Sequence, residues 1–303
     1  MNYTIHQLQI FLKVVQTRSI TKASEELFMT QPAVSIQLKK LQDQFEIPLT
    51  EVIGRQLYIT DFGKEIAVIA ERMVQELESI NYKTQAFQGI VTGKLRISAA
   101  STGKYVIPFF LTEFLEKHKG IDLLLDVTNK TKVVDSLKKN EIDFALVSVL
   151  PEKLNVEEEI LIENKLYFIG NQVERKENKP LIYREEGSAT RASMESYFVS
   201  REGQQRKQME LTSNEAVKQA VIAGLGYSIM PLIGIQNELL NGQMHILEAE
   251  GLPITTEWRL IWLKGKKLSP VALTYLEFVR AEKQRILIDH FDWYMKYEQA
   301  SGK

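Results

Sequence analysis

The chain contains no cysteine among its 303 residues. This absence excludes disulfides, thiolate metal sites, cysteine nucleophiles and thiol-based redox sensing. The four histidines, at positions 6, 118, 245 and 290, are scattered without the spacing of metal ligands. A nucleophile elbow, a P-loop and a paired catalytic motif are also missing from the sequence. We therefore expect no metal, no cofactor and no catalytic site.

Long hydrophobic runs and an excess of one charge are missing as well. No apolar run reaches the roughly 20 residues that a membrane-spanning helix needs. The first residues, MNYTIHQLQIF, lack the basic region, apolar core and cleavage site of a secretory signal. The formal net charge is -1, so the whole chain is not a general binder of polyanions. We expect a cytoplasmic protein without a membrane partner, and its length predicts two or three domains.

Residues 1–60 have the pattern of three short helices followed by a hairpin. Thr4 and Gln7 fit a capping box, Ser19 and Thr30 fit N-cap positions, and Pro32 is tolerated in a first helical turn. Apolar residues recur at steps of three or four, which places them on one face of each helix. Those expected to face the core are Ile5, Leu8, Phe11, Leu12, Val15, Ile20, Ala23, Leu27, Val34, Leu38, Leu41 and Phe45.

The third helix has an outer face suited to DNA, and a hairpin wing turning at Gly54 and Arg55 follows it. Three helices and a wing form a winged helix-turn-helix, whose recognition helix enters the major groove. Glutamine pairs with adenine, serine with several bases, and basic side chains with phosphates. The residues expected to contact DNA are Gln31, Pro32, Ala33, Ser35, Ile36, Gln37, Lys39, Lys40 and Arg55. From spacing alone, a three-helix protein-interaction module remains the alternative.

A family resemblance favours the DNA interpretation. The run FLKVVQTRSITKASEELFMTQPAVSIQLKKLQDQFEIPL resembles the signature of LysR-type transcriptional regulators. Its matching positions are Ser19, Ile20, Thr21, Ala23, Leu27, Thr30, Gln31, Pro32, Ala33, Val34, Ser35, Gln37 and Leu41. The family often has Arg or His where Ile36 stands, and usually Arg where Val52 stands. Ile36 indicates contact with a thymine methyl in place of guanine, and Val52 leaves one customary phosphate contact to Arg55.

The resemblance covers nearly the whole chain and implies its architecture. It implies an α/β effector domain of two Rossmann-like lobes, similar to periplasmic binding proteins, preceded by an α winged helix-turn-helix and a long linker helix. We predict the DNA-binding domain at residues 1–60, the linker helix at 61–89 and the effector domain at 90–303. Lobe I takes about 93–163 and 264–303, and lobe II about 164–263.

The resemblance also implies partners. These are a dyad-symmetric promoter site on double-stranded DNA, a small-molecule effector, RNA polymerase, and further copies of the chain in a homodimer or homotetramer. A stripe along the linker helix independently favours the dimer, because such a stripe can bury against a second helix. Its residues are Phe62, Ile66, Ile69, Met73, Leu77, Ile80, Thr84 and Phe87. The alternative is a helix packed onto its own domain.

From Gly93 onward, strand-like apolar runs alternate with amphipathic helices, which predicts α/β lobes with largely parallel sheets. Open α/β sheets bind ligands at the C-terminal ends of strands, beside helix N-termini that favour anions. Polar residues at such ends are Ser101, Thr102, Thr128, Asn129, Ser148, Ser188, Thr190, Arg191 and Asn214. We predict that they bind a small anion between the lobes, with Arg191 as the charged group; taken singly, the hydroxyls would only cap helices.

Two runs, YREEGSATRASMESYF and LTSNEAVKQAVIAGLGYSIMP, are most similar to LysR-type regulators of Calvin-cycle operons and of sulfur assimilation. A solute-binding or enzymatic two-lobed α/β protein with an appended helical module is the alternative function. That alternative explains the lobes but leaves the first 90 residues without a role, and no catalytic set accompanies it.

Overall fold

A computed structural model describes residues 3–54, 56–87, 91–176, 178–199 and 207–301, without the side chains at 75, 78, 79, 81–87 and 298–301. The chain forms two compact units, Met1–Gly89 and Ile90–Lys303. The division falls where the sequence analysis ends the linker helix. In the described part of the chain, no helix is both long enough and apolar enough to cross a membrane.

The N-terminal unit is a winged helix-turn-helix followed by a long helix. Its elements are α1 (Ile5–Thr17), α2 (Ile20–Glu26), α3 (Gln31–Gln42), the antiparallel hairpin of β1 (Thr50–Ile53) and β2 (Gln56–Ile59), and α4 (Asp61–Phe87). Thr4 and Gln7 form the expected capping box at α1, and the Ser19 side chain caps α2. Thr30 occupies the expected N-cap position of α3, but its side chain makes no capping hydrogen bond.

One apolar core joins the three short helices to the start of α4. Helices α1, α2 and α3 contribute Leu8, Phe11, Ala23, Val34 and Leu41, and each of these side chains is almost fully buried. From α4, Ala67 and Ala70 are buried in the same core, and Phe62 and Ile66 pack against it. The first turns of the linker helix therefore belong to the DNA-binding unit, and only the later part of the predicted stripe is left for a partner.

The C-terminal unit alternates strands and helices. Its elements are β3 (Thr92–Ala100), α5 (Ile107–Lys117), β4 (Gly120–Thr128), α6 (Lys130–Lys138), β5 (Phe144–Val147), β6 (Val156–Gly170), β7 (Leu181–Arg184), α7 (Ala189–Val199), β8 (Gln208–Leu211), α8 (Asn214–Ile222), β9 (Ser228–Pro231), α9 (Gln236–Leu240), β10 (His245–Ile246), β11 (Ile254–Leu263) and α10 (Pro270–Ser301). Two 3-10 turns, Ser101–Tyr105 and Leu232–Gly234, follow β3 and β9.

The sheets are mixed rather than largely parallel. In lobe I, β3 pairs in parallel with β4 and β5, and in lobe II, β7 pairs in parallel with β8. The long strands β6 and β11 run antiparallel to each other, and β6 also pairs antiparallel with β9 and β10. Parallel pairing is therefore confined to strands within one lobe, while the antiparallel ribbon of β6 and β11 joins the two lobes.

This ribbon shifts one predicted lobe boundary. We expected the chain to return to lobe I near Leu263, but β11 pairs with β5 of lobe I already at residues 259–261. The register of β6 and β11 is interrupted between Trp258 and Arg259, so the return lies inside the strand. A continuous strand crosses the boundary because its partner β6 also runs through both lobes, from Val156 to Gly170.

The aromatic C-terminal segment packs on its own domain. Phe291 contacts the rings of Phe109 and Phe110 on α5. The backbone N–H of Lys165, in β6, donates a hydrogen bond of 2.7 Å to the hydroxyl of Tyr294. The segment thus continues helix α10 along its own domain, in contact with α5 and with β6.

Candidate DNA-binding surface and effector cleft

Helix α3 has one buried face and one outer face. Val34, Leu38 and Leu41 face the core, while Ile36 is 54% exposed although it is apolar. All the residues that we expected to contact DNA on this helix are exposed or half-exposed, namely Gln31, Pro32, Ala33, Ser35, Ile36, Gln37, Lys39 and Lys40. Arg55, expected at the tip of the wing, lies outside the described residues. The helix therefore offers amide, hydroxyl, apolar and cationic groups on one surface.

A hydrogen bond ties one of these residues to α1. Gln7 is 7% exposed, and its Nε2 donates to Oε1 of Gln37 at 3.3 Å. The Oε1 of the same Gln7 side chain accepts the backbone N–H of Thr4 at 2.8 Å, which is half of the capping box. Sequence reasoning placed Gln7 in the cap and Gln37 at the DNA, but it did not connect them because 30 residues separate them.

The turn between α2 and α3 carries an unusual residue. Phe28 is 98% exposed, and its backbone has φ of 53°, in the left-handed region that disfavours residues with a Cβ. Nothing in the described unit packs on its ring closely enough to offset that strain.

The later part of α4 presents an apolar stripe. Ile69, Met73, Leu77 and Ile80 follow one another at steps of three or four and are 45%, 41%, 38% and 59% exposed. Thr84 and Phe87, the last members of the predicted stripe, have side chains outside the description. An apolar row of this kind on a long helix is suited to packing against a second helix.

In lobe I, the strand ends place the predicted polar residues together. Ala100 at the end of β3 lies opposite Thr128 at the end of β4, and Ser148 directly follows β5. Asn129 caps α6 by accepting the backbone N–H of Lys132 at 3.1 Å. One expectation was wrong: Ser101 and Thr102 start a five-residue 3-10 turn and not an α-helix, because α5 begins only at Ile107.

In lobe II, the corresponding loops follow β7 and β8. Ser188 caps α7, with Arg191 N–H donating to its hydroxyl at 3.5 Å, and Thr190 is buried in the first turn. Asn214 is the first residue of α8, and Ser213 is its cap. Asn129 and Ser188 thus cap helices, which was the alternative to binding a ligand. By contrast, the side chains of the buried residues Thr102, Ser148 and Thr190 make no hydrogen bond within the described part of the chain.

Arg184 is the residue that links the lobes, and the sequence analysis missed it. It ends β7 and is 3% exposed. Its Nη2 donates to the hydroxyl of Ser101 in lobe I at 3.1 Å, and its Nη1 donates to Oδ1 of Asn214. Glu185 accepts from its Nε and Nη2 at 2.7 and 2.8 Å. The remaining buried amide group, Nδ2 of Asn214, has no hydrogen-bond partner among the described residues.

Arg191, our predicted anion ligand, is engaged elsewhere. Its Nε donates to Glu195 at 2.6 Å, and its Nη1 donates to Glu210 and to the carbonyl oxygen of Arg184. These carboxylates raise the pKa of Arg191 above its ordinary value. The guanidinium therefore already has two carboxylate partners, so it is poorly placed to serve as the main charge for a ligand.

A pocket of about 570 Å³ opens between the lobes beside this arginine. Its walls are the first turns of α6, the loop after β5 and the first turns of α7. Three cations and four carboxylates line it, namely Lys130, Lys153, Arg191, Asp135, Glu152, Glu186 and Glu195, together with Thr131, Gly187 and Ser188.

One of the cations of this pocket, Lys130, is the first residue of α6. Burial lowers the pKa of the Lys130 ammonium below its ordinary value, and the nearby Glu152 offsets this only in part. Within the described part of the chain, Lys130 makes neither an ion pair nor a hydrogen bond. A half-buried cation without an ion-pair or hydrogen-bond partner costs free energy, and an anionic ligand would reduce that cost. The signal available in the sequence was its place directly after Asn129 at a strand end.

The lobes touch at two glycines. The Thr131 N–H donates to the Gly187 carbonyl across the cleft at 3.4 Å, and a Cβ on Gly187 would lie 2.7 Å from Oγ1 of Thr131. A Cβ on Gly234 would lie 2.6 Å from Cε2 of Tyr105, which follows β3 in lobe I. Both contacts leave no room for a side chain, so the lobes are held closely together.

Two family models together match most of the chain. The model described as a bacterial regulatory helix-turn-helix protein of the lysR family matches residues 5–64, and that described as the LysR substrate binding domain matches residues 88–284. The chain belongs to the LysR family. A LysR regulator binds DNA through its helix-turn-helix and an effector through its C-terminal domain, and it works as an oligomer.

Curated relatives of this LysR regulator extend over its whole length. The HTH-type transcriptional activator CmpR of Synechocystis is 36% identical over 298 residues, 95% of this chain and 98% of that protein. The RuBisCO operon transcriptional regulator of Allochromatium vinosum is 37% identical over 297 residues, 94% of this chain and 98% of that protein. These relatives confirm the similarity to regulators of Calvin-cycle operons.

Solved structures confirm the fold. Full-length OxyR from Pseudomonas aeruginosa superposes with a TM-score of 0.69 at 18% identity, covering 95% of each chain. The regulatory domain of CcmR from Synechocystis, in complex with 2-PG (2-phosphoglycolate), has a TM-score of 0.58 and 32% identity. It covers 63% of this chain and 98% of that domain.

Proposed function

We propose that this LysR regulator is controlled by a small organic anion of the phosphorylated carboxylate kind, held between its lobes beside Lys130. The observation that carries the proposal is the half-buried ammonium of Lys130, which lines the interlobe pocket without a partner in the described chain. The complex of the 32% identical CcmR domain with 2-PG supports the class of ligand.

Three of the surrounding side chains suit the same ligand. Thr131 and Ser188 face the pocket from opposite lobes and supply a hydroxyl each, while Lys153 adds a second cation. The proposal also includes the neighbouring polar surface of the cleft, which is formed by Ser101, Thr102, Thr128, Ser148, Thr190 and Asn214. A ligand that contacts both lobes favours their closed arrangement, and it shifts that equilibrium only by its differential affinity for the two states.

Calorimetric titration of the full-length protein with 2-phosphoglycolate tests this proposal. Lys130→Met should weaken binding about 10- to 100-fold, because a charge-assisted hydrogen bond contributes roughly 1.5–3 kcal/mol. Lys138→Met is the matched control, since Lys138 lies exposed in the last turn of the same helix. Equal affinity of the wild type and Lys130→Met would place the ligand elsewhere, and no binding to the wild type would exclude this ligand class.

We also infer that the chain regulates transcription without catalysing a reaction, and that it works in the cytoplasm with its DNA. The names of its relatives, all transcriptional regulators, support this inference. Prolonged incubation with 2-phosphoglycolate, followed by phosphorus NMR, should return the compound unchanged. Formation of inorganic phosphate at a rate proportional to protein concentration would contradict it.

A further inference from the structure

The amide orientation of Gln37 can be deduced from the backbone of Thr4. A backbone nitrogen is always a donor, so the Gln7 atom that faces the Thr4 N–H at 2.8 Å must be the oxygen Oε1. The other end of the Gln7 amide is therefore Nε2, which is a donor only. The Gln37 atom that Gln7 Nε2 contacts at 3.3 Å must then be an acceptor, Oε1.

The free end of Gln37 is consequently its Nε2 group. Gln37 is half-buried on the outer side of α3, and its Nε2 makes no hydrogen bond to any described residue. Bidentate pairing with adenine needs both ends of a glutamine amide, one to accept and one to donate. Here the accepting end is already held by α1, so the recognition helix offers a donor at this position.

We propose that Gln7 is a positioning residue for DNA recognition: through the capping box of α1 it orients Gln37 so that an N–H donor, and not a carbonyl acceptor, is presented to a base edge. Such a donor matches O6 or N7 of guanine, N7 of adenine and O4 of thymine in the major groove, but not the amino group of cytosine. Helix capping and base selection are thereby joined in one chain of hydrogen bonds, from Thr4 through Gln7 to Gln37.

The decisive variant is Gln7→Glu. Glutamate is an equally good third residue of a capping box, so one carboxylate oxygen still accepts the Thr4 N–H and α1 keeps its cap. The second oxygen is now an acceptor, which forces the Gln37 amide to turn and donate its Nε2 to Glu in place of accepting. Oε1 of Gln37 then faces outward and matches the amino groups of cytosine or adenine.

The experiment selects bound duplexes from a random DNA pool with full-length protein at about pH 8, where the new carboxylate is ionised. Gln37→Ala should remove base preference at one position of each half-site. Gln7→Glu should change the preferred base at that same position and lower affinity for the wild-type sequence on the order of tenfold, since a polar contact to a base edge contributes that much discrimination.

Thr4→Ala serves as the control, because it weakens the cap but leaves the backbone N–H that orients Gln7. It should lower thermal stability and keep the wild-type base preference. An unchanged preference in Gln7→Glu overturns the positioning role, and so does a Gln37→Ala variant whose preferences equal those of the wild type. A loss of affinity that is uniform over all sequences also overturns the proposal, because it reports added negative charge and not base reading.

Discussion

The contact between Gly234 and Tyr105 allows lobe closure to be tested with one methyl group. In Gly234→Ala, the new Cβ would lie 2.6 Å from Cε2, 3.1 Å from Cζ and 3.2 Å from Cδ2 of the tyrosine ring. Side chains essentially never approach a Cβ closer than 3.0 Å, so the ring or the lobes must move. Overpacking of this kind typically costs about 1–3 kcal/mol.

The overpacking destabilises the closed arrangement of the lobes, because Gly234 and Tyr105 belong to different lobes. If the anion binds the closed arrangement, as we propose, its affinity should fall by the same free energy, about 5- to 150-fold. The assay is calorimetric titration of the full-length protein with 2-phosphoglycolate. Tyr105→Ala removes the ring, so the double variant Tyr105→Ala with Gly234→Ala should bind about as well as Tyr105→Ala alone.

Gly120→Ala provides the matched control. Its Cβ would lie 2.4 Å from Cγ2 of Thr92, so it is equally overpacked, but both residues belong to lobe I. This variant should lose thermal stability and keep its affinity for the anion. Two results would refute this reasoning: wild-type affinity in Gly234→Ala, or a double variant that binds no better than Gly234→Ala. Either result would show that anion binding does not depend on closure of the lobes at this contact.

Three further predictions concern other parts of the chain. Met73→Asp, in the exposed stripe of α4, should give monomers by light scattering at micromolar concentration, and an unchanged oligomer would contradict the stripe as an interface. Phe28→Asn should raise the free energy of unfolding by about 1 kcal/mol, because asparagine tolerates positive φ and the exposed ring has little packing to lose. A lower free energy of unfolding in urea would show instead that the ring makes stabilising contacts. Burial alone would raise the pKa of Glu159, but hydrogen bonds from Lys283 and Arg280 outweigh it, and the pKa lies below its ordinary value. A lowered folded-state pKa stabilises the protein above the unfolded-state pKa, and this stabilisation is lost as pH falls through the folded-state pKa. In urea unfolding, Glu159→Gln should therefore lower the free energy of unfolding at about pH 7 and much less at about pH 3. Equal losses at both pH values would exclude this linkage.

Much of the architecture is readable in the sequence because it depends on interactions between near neighbours. The capping box at Thr4, the cap at Ser19 and the three-four spacing of α1 to α3 act within a few residues of one another. The apolar runs that became β3, β4 and β5 are each a few residues long, and their polar ends reach one edge of the sheet because parallel strands end together. Local signals therefore sufficed to predict where a cleft would form.

The cations of the cleft show what sequence reasoning did not reach. The cation of the cleft was expected to be Arg191, but two carboxylates engage it, whereas Arg184 joins the lobes and Lys130 is left without a partner in the described chain. The i,i+4 spacing of Arg191 and Glu195 was a local signal that Arg191 is engaged. No local pattern predicts that Arg184 joins the lobes, because Ser101 lies 83 residues away from it.

Packing also decided how much of each element is available to a partner. The periodic stripe of α4 is uniform in sequence, yet Phe62 and Ile66 join the core of the N-terminal unit while Ile69 and Met73 stay exposed. Ala70 is still buried although it follows the exposed Ile69, so the division depends on which face of α4 packs against the core, and only the assembled fold determines that. Gln7 is a similar case: its spacing from Thr4 predicts a helix cap, but its second hydrogen bond, to Gln37, exists because α1 packs against α3 and brings two amides 30 residues apart within 3.3 Å.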